Sequence, residues 1–170
     1  MKKILFISIS LLIGNQMVAQ KISTDNVPLD VSSSFKNKYS SAAKPTWQMD
    51  YDNYQVDFTF LKTQMTALFD QEGKWLETDA FITASDLPKE VKDSLAKQFG
   101  VILNTYKIEE AAKIETPDKE MYYQMVISQN LTTYDVVLAE SGHIISKDKR
   151  VEENDGKIKF KRDKEKKDKK

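Results

Sequence analysis

Leu68-Phe69-Asp70-Gln71-Glu72-Gly73-Lys74-Trp75-Leu76 runs apolar, polar, apolar, with a glycine late in the polar part. That pattern reads as a hairpin in which Gly73 is free to take the positive φ of a tight reversal. Sixty-nine residues later, Val137-Leu138-Ala139-Glu140-Ser141-Gly142-His143-Ile144-Ile145 has the same plan. The offset also holds upstream, where Tyr54, Val56 and Phe58 match Tyr123, Met125 and Ile127, and Ala67 matches Val136. Tyr54, Val56, Phe58 and Phe60 alternate with Gln55, Asp57 and Thr59, the two-residue period of a half-buried strand.

Farther upstream the matching distance is sixty: Val27-Pro28, Val31, Phe35 and Tyr39 correspond to Leu87-Pro88, Val91, Leu95 and Phe99. Apolar residues every fourth position after a proline describe one face of an amphipathic helix, with the proline in the first turn where its missing N–H costs nothing. Asn26 and Asp86 stand ready to satisfy free first-turn N–H groups, and Gly100 stops the second helix. Helices are predicted at about 27–40 and 86–99, and strands at roughly 44–50, 53–61, 64–70, 74–78, 105–115, 120–129, 133–139 and 143–148. The fold class predicted is α+β, a tandem repeat of one helix plus a roughly four-stranded antiparallel sheet over 27–79 and again over 80–148. The two copies would share a sheet or stack side by side, and the nine extra residues of the second fall within 100–121.

The 170 residues carry 26 Lys+Arg against 26 Asp+Glu, but the balance hides three unlike segments. Residues 1–20 are +2, residues 21–145 are −7 and residues 146–170 are +5. With no Cys, disulfides, thiolate zinc sites and cysteine nucleophiles are excluded, and one His excludes a multi-His metal site. Met1-Lys2-Lys3 followed by Ile4 to Ile13 reads as a signal peptide over 1–19, cleaved after Ala19, which makes the mature chain periplasmic or secreted from Gln20. Residues 20–26 read as a linker. The Lys-rich residues 149–170 read as a disordered tail with a frayed strand near Ile158 to Phe160, a candidate for weak tethering to an anionic surface.

Taken together, the exported start, the Val-Pro and Leu-Pro helices, the segment Phe69 to Glu77 and residues 140–145 resemble the PepSY-like, beta-lactamase-inhibitor-protein-like (BLIP-like) family of small exported bacterial proteins. The resemblance spans roughly 25–148 and is strongest in Phe-Asp-x-x-Gly-x-Trp at 69–75, preceded by Tyr54 and Phe58. The second copy departs from it, with Leu138-Ala139 for Phe-Asp and Ile144 for the tryptophan. The resemblance implies tandem helix-plus-four-stranded units and brings no catalytic residues. Relatives in fold inhibit enzymes by presenting a sheet face, an analogy that does not fix function.

Leu68 and Leu76, with Val137 and Ile145, fall on the parity that faces away from the helices, where an antiparallel sheet covered on one side normally shows polar residues. With Tyr122 and Val126 they define a candidate partner-binding face, Trp47 at its margin; cover by the two copies or the inserted residues is the competing reading. Carboxylates crowd Asp50, Asp52 and Asp57, then Asp70, Glu72, Glu77 and Asp79. Asp70 to Gly73 imitates the start of a calcium loop without its remaining ligand spacing, so no metal site is assigned. His143 has no partner motif, Asn130-Leu131-Thr132 is uninformative in bacterial export, and no nucleophile–base constellation, cofactor loop or nucleic-acid motif is present. The function expected is a non-enzymatic exported binding module, inhibitor-like, showing a sheet face to an unknown protein partner. The alternative is an exported metal-binding protein or a hydrolase using surface carboxylates.

Overall fold

The computed structural model describes residues 21–100, 106–152 and 158–162. The signal-peptide reading of 1–19 and most of the tail beyond residue 152 lie outside the described residues. The strands are β1 (Lys21–Ile22), β2 (Ala43–Asp50), β3 (Asn53–Phe60), β4 (Thr63–Phe69), β5 (Trp75–Ile82), β6 (Lys107–Glu115), β7 (Met121–Gln129), β8 (Thr132–Ala139), β9 (Ile144–Glu152) and β10 (Ile158–Arg162). Helix α1 (Leu29–Lys38) lies between β1 and β2, and α2 (Lys89–Phe99) between β5 and β6. Each strand pairs antiparallel with the next in chain order, making one ten-stranded sheet.

That continuity corrects the predicted fold class. The strands do not divide into two four-stranded units: β5 pairs with β6 from Thr78↔Glu115 to Ile82↔Ala111, and the sheet runs on. The strand read at 74–78 continues to Ile82, which supplies the residues for that ladder. Unjoined, β5 and β6 would each present an unpaired edge of N–H and C=O groups, and pairing them removes both edges at once. The tail read as disordered over 149–170, with a frayed strand near Ile158 to Phe160, holds more order than that: β9 extends to Glu152, and β10 pairs with it through Phe160↔Arg150 and Arg162↔Asp148. An edge strand is held by backbone hydrogen bonds, which charged side chains do not forbid. Of the linker read at 20–26, Lys21 and Ile22 pair with Gln48 and Trp47.

Both helices lie on the same face of this sheet. Val27, Val31, Phe35 and Tyr39 pack with Trp47, Val56, Phe58, Ala67 and Phe69, while Leu87, Val91, Leu95 and Phe99 pack with Ala111, Tyr123, Met125, Ile127, Val136 and Leu138. Phe35 centres the first cluster, with its ring edge-on to Phe58 at 5.0 Å and to Trp47 at 5.4 Å. Pro28 and Pro88 sit just outside the helices, where their carbonyls accept the N–H groups of Ser32 and Lys92 at 3.0 Å. Asp86 does not cap α2; its carboxylate accepts the Thr83 N–H at 2.9 Å and closes the turn before it. Gly100, at φ 110, donates its N–H to Ala96 and ends α2.

The hairpin glycines tie sheet to helix. Gly73 has φ +79, and a Cβ there would lie 2.7 Å from the backbone of Asp30 in the first turn of α1. Gly142 repeats the arrangement at φ +81, with a Cβ 2.4 Å from the carbonyl oxygen of Glu90 in α2. Glycine is needed at both positions for conformation and for room.

Candidate functional site

Strand register settles which side chains face away from the helices. On β4 and β5, Leu68 pairs with Glu77 and Phe69 with Trp75, so a bulge leaves Leu76 as the extra residue beside Glu77. On β8 and β9, Val137 pairs with Ser146 and Leu138 with Ile144, leaving Ile145 in the equivalent place. Phe69, Trp75, Leu138 and Ile144 pack beneath the helices, so Leu68, Leu76, Val137 and Ile145 project from the opposite face.

These four do not form one patch. Ile145 is 43% exposed, whereas Leu68, Leu76 and Val137 are half-buried. The pairs stand on β4/β5 and β8/β9, so β6 and β7 lie between them, a gap of roughly 14 Å from β5 to β8 at the usual strand spacing. Trp47 is corrected outright: it is 2% exposed and belongs to the aromatic cluster around Phe35, on the helix-covered side. A side chain sealed in that core cannot touch a partner. Tyr51 is the exposed aromatic of the neighbourhood, at 85%, in the β2–β3 turn with φ 51.

Between the two aliphatic pairs the outward residues of β6 and β7 are buried: Ala112, Ile114 and Val126 are core-like, and Gln124 is 5% exposed. Ile114 pairs with Asp79 of β5 and with Tyr122 of β7, while Ala112 pairs with Phe81 and Gln124. The apolar centre is therefore bordered by polar side chains from both flanking strands.

Those borders differ in charge. On the β8/β9 side, Arg150 donates from Nε and Nη2 to the two carboxylate oxygens of Asp135, both at 2.6 Å, a bidentate and largely buried pair. On the β2–β5 side stand Asp50, Asp57, Glu77 and Asp79, and among the described residues none of them has an ion-pair partner. Asp57 accepts from Thr66 Oγ1 at 2.8 Å and Gln55 Nε2 at 3.2 Å, both neutral donors. Glu77 is 6% exposed. Burial, with Asp79 and Asp50 nearby, pushes its carboxyl up to about 8, and burial pushes Asp79 up to about 7. Oδ1 of Asp79 and Oε1 of Gln124 are buried with no hydrogen-bond partner. Such orphaned acceptors are uncommon, because each forfeits its hydration for nothing.

The other sequence candidates have local roles. Asp70 accepts the N–H groups of Glu72 and Lys74 at 3.1 and 2.8 Å, which makes it the turn's own cap. No group of three or more His, Asp or Glu placed to hold a metal occurs among the described residues. Glu77 and Asp79 are two apart on one strand and project from one face, so they do not oppose each other across a cleft as a hydrolytic acid–base pair would. His143 is exposed in the second hairpin turn, and its carbonyl accepts the N–H of Ala139 at 2.9 Å. Trp75 packs beside the α1 core, donates its Nε1 N–H to Thr78 at 2.8 Å and carries Lys38 3.4 Å above its ring. Gln124, Asp135 and Arg150 were not singled out by the sequence. The outward parity of Tyr122, Gln124 and Val126 is a signal that could have found the first, but nothing local joins Asp135 to Arg150.

Comparison with known proteins adds a family and a fold. Residues 52–146 match the family model described as "Putative beta-lactamase-inhibitor-like, PepSY-like". No curated protein matches the chain. Among solved structures, a DUF2874 family protein from Bacteroides uniformis ATCC 8492 is 21% identical with a TM-score of 0.66, covering 72% of this chain and 88% of its own. A BLIP-like protein from Bacteroides fragilis NCTC 9343 is 17% identical, TM-score 0.63, covering 72% and 85%. A third, described as "putative periplasmic proteins" from Bacteroides eggerthii DSM 20697, is 16% identical, TM-score 0.66, covering 72% and 88%. At these identities the likeness is one of fold.

Proposed function

The chain belongs to the PepSY-like, beta-lactamase-inhibitor-like family, and from that membership we propose that it is a non-enzymatic periplasmic binding module that meets a protein partner with the sheet face opposite its helices. One observation carries the reading. Around a buried centre of Ala112, Ile114 and Val126, the face not covered by α1 or α2 presents the exposed Ile145, half-buried aliphatics and carboxylates with no ion-pair partner among the described residues, side chains that a merely solvated sheet face would not collect. The periplasmic part rests on the neighbour from Bacteroides eggerthii and on the signal-like start.

The test is capture of partners from periplasmic extract by the native protein and by Ile145→Lys, with Leu131→Lys as control. Ile145 is exposed on the proposed face, and Leu131 is exposed in the β7–β8 turn. Both variants should melt like the native protein, since changes at exposed positions usually stay within about 0.5 kcal/mol. Stoichiometric capture lost only with Ile145→Lys supports the face. Equal capture by both variants places the interaction elsewhere.

A further inference from the structure

The two edges of the sheet are built differently, and from that difference we infer that β10 receives an extended acidic strand of a partner protein, added to the sheet as its next strand. At the first edge, β1 covers only Gln48 and Trp47 of β2. The rest of that edge is blunted: Pro45 has no N–H to offer, Lys44 stands at φ 56, and the register shifts between Ala43 and Thr46. β10 has none of these devices. Ile158 to Arg162 pair with β9 residue for residue, without a proline, a glycine or a shift. Among the described residues β9 is the single neighbour of β10, so alternate N–H and C=O groups along its far side form a regular template for one more strand.

Charge decides which strand fits. Lys159, Lys161 and Arg162 make up three of the five residues of β10, and none of the five is acidic. The register sets Lys161 opposite Lys149, which is exposed, and Lys159 opposite Val151, so neither lysine has an acidic residue across from it on β9. Like charges at opposed positions destabilise a ladder, and a carboxylate at the next position beyond Lys161 offsets that repulsion. A second copy of β10 is disfavoured as the occupant for the same reason. Two such strands crossed about Phe160 would set Lys159 opposite Lys161 twice, and crossing about either lysine would set it opposite its own copy. The lysines thus leave the backbone template open while turning away the chain's own strand, the repulsive element on which specificity depends. Where the first edge bars every strand, β10 bars only basic ones. Lys159 and Lys161 are two apart and belong to one face of the sheet, so the matching strand carries Asp or Glu at alternate positions with apolar or neutral residues between them.

The experiment is fluorescence anisotropy with a labelled Gly-Thr-Glu-Val-Glu-Val-Thr-Gly peptide and its counterparts with lysine or glutamine in place of both glutamates. Two further forms of the acidic peptide, each methylated on one alternate set of backbone nitrogens, keep the charge and lose those N–H donors. The native protein should bind the acidic peptide at least about tenfold tighter than the lysine form, with the glutamine form between them. Methylation of at least one of the two sets should cost about tenfold, since strand addition depends on main-chain hydrogen bonds. The double variant Lys159→Glu, Lys161→Glu should reverse the order and prefer the lysine peptide, whereas Lys166→Gln, Lys167→Gln, which lies beyond the strand, should leave the affinities within about twofold. The peptide series on the native protein decides the matter by itself if the charge-reversed variant folds poorly. Equal binding of the acidic and lysine peptides overturns the inference. So does undiminished binding of both methylated forms, or an equal loss in Lys166→Gln, Lys167→Gln, either of which leaves only attraction of a basic tail to negative charge. A concentration-dependent dimer in sedimentation that is altered by Lys159→Glu, Lys161→Glu overturns it as well, by placing a second copy on the edge.

Discussion

Glu77 and Asp79 hold protons that an unfolded chain would release. Burial raises them to about 8 and about 7 from ordinary values of 4.5 and 3.8, so over the intervening range the native state binds more protons than the unfolded state. Stability must therefore fall as pH rises through that window and level off above it, the reverse of the usual acid denaturation of paired carboxylates. Thermal melts should show a higher midpoint near about pH 5 than near about pH 9, and the Glu77→Gln, Asp79→Asn double variant should flatten the slope. An unchanged slope in the double variant would mean that other groups set it. The glycines make a second residue-scale test. Gly142→Ala must take a Cβ into positive φ and against the carbonyl of Glu90, and Gly73→Ala meets Asp30 in the same way. Each should cost on the order of 1–3 kcal/mol in chemical denaturation, the penalty of an unfavourable backbone conformation with a clash added. A loss under about 0.5 kcal/mol would show that the turn relaxes away from its helix.

Helix α1 and helix α2 were legible because their information is local. Val31 and Phe35, and Val91, Leu95 and Phe99, recur at helical spacing, and those residues are the buried ones. The strands around Tyr54 to Phe60 and the hairpins at Gly73 and Gly142 were legible for the same reason, through alternation and turn chemistry. What stayed hidden was pairing between distant segments. Nothing in the residues of β5 names β6 as its neighbour, and nothing in the strand expected near Ile158 to Phe160 names its partner, which lies in β9. The site divides along the same line. Alternation puts Leu68 and Val137 on the outward face, but the burial of Trp47 depends on α1 lying over β2, and the orphaned oxygen of Gln124 depends on a neighbour two strands away. Phe35 and Leu95 offer a measurement at this scale. Each fills the centre of its cluster, so truncation to Ala should cost about 2–5 kcal/mol as a residual cavity in denaturant unfolding. Values near those of exposed positions would mean the helices pack loosely on the sheet.

Across the molecule the described residues form two hydrophobic clusters and one sheet, and the two facts pull its folding in opposite directions. Separate clusters under α1 and α2 would let each half melt alone, as weakly coupled repeats do. The sheet opposes this, because parting β5 from β6 breaks the ladder from Thr78↔Glu115 to Ile82↔Ala111 and opens the buried Ala112 and Ile114 to water. Freed edge groups and newly wetted apolar surface both add to the cost of a half-melted state. Ile82 strengthens the seam, since it lies on β5 yet packs against the cluster under α2. We therefore expect a single calorimetric transition whose midpoint moves as one with either Phe35→Ala or Leu95→Ala, with the calorimetric and van't Hoff enthalpies agreeing. Two resolved transitions, one shifted by Phe35→Ala and the other by Leu95→Ala, would show that the β5–β6 seam is weaker than the clusters it joins. The outward face, which crosses that seam between Asp79 and Gln124, would then come apart before either half unfolds.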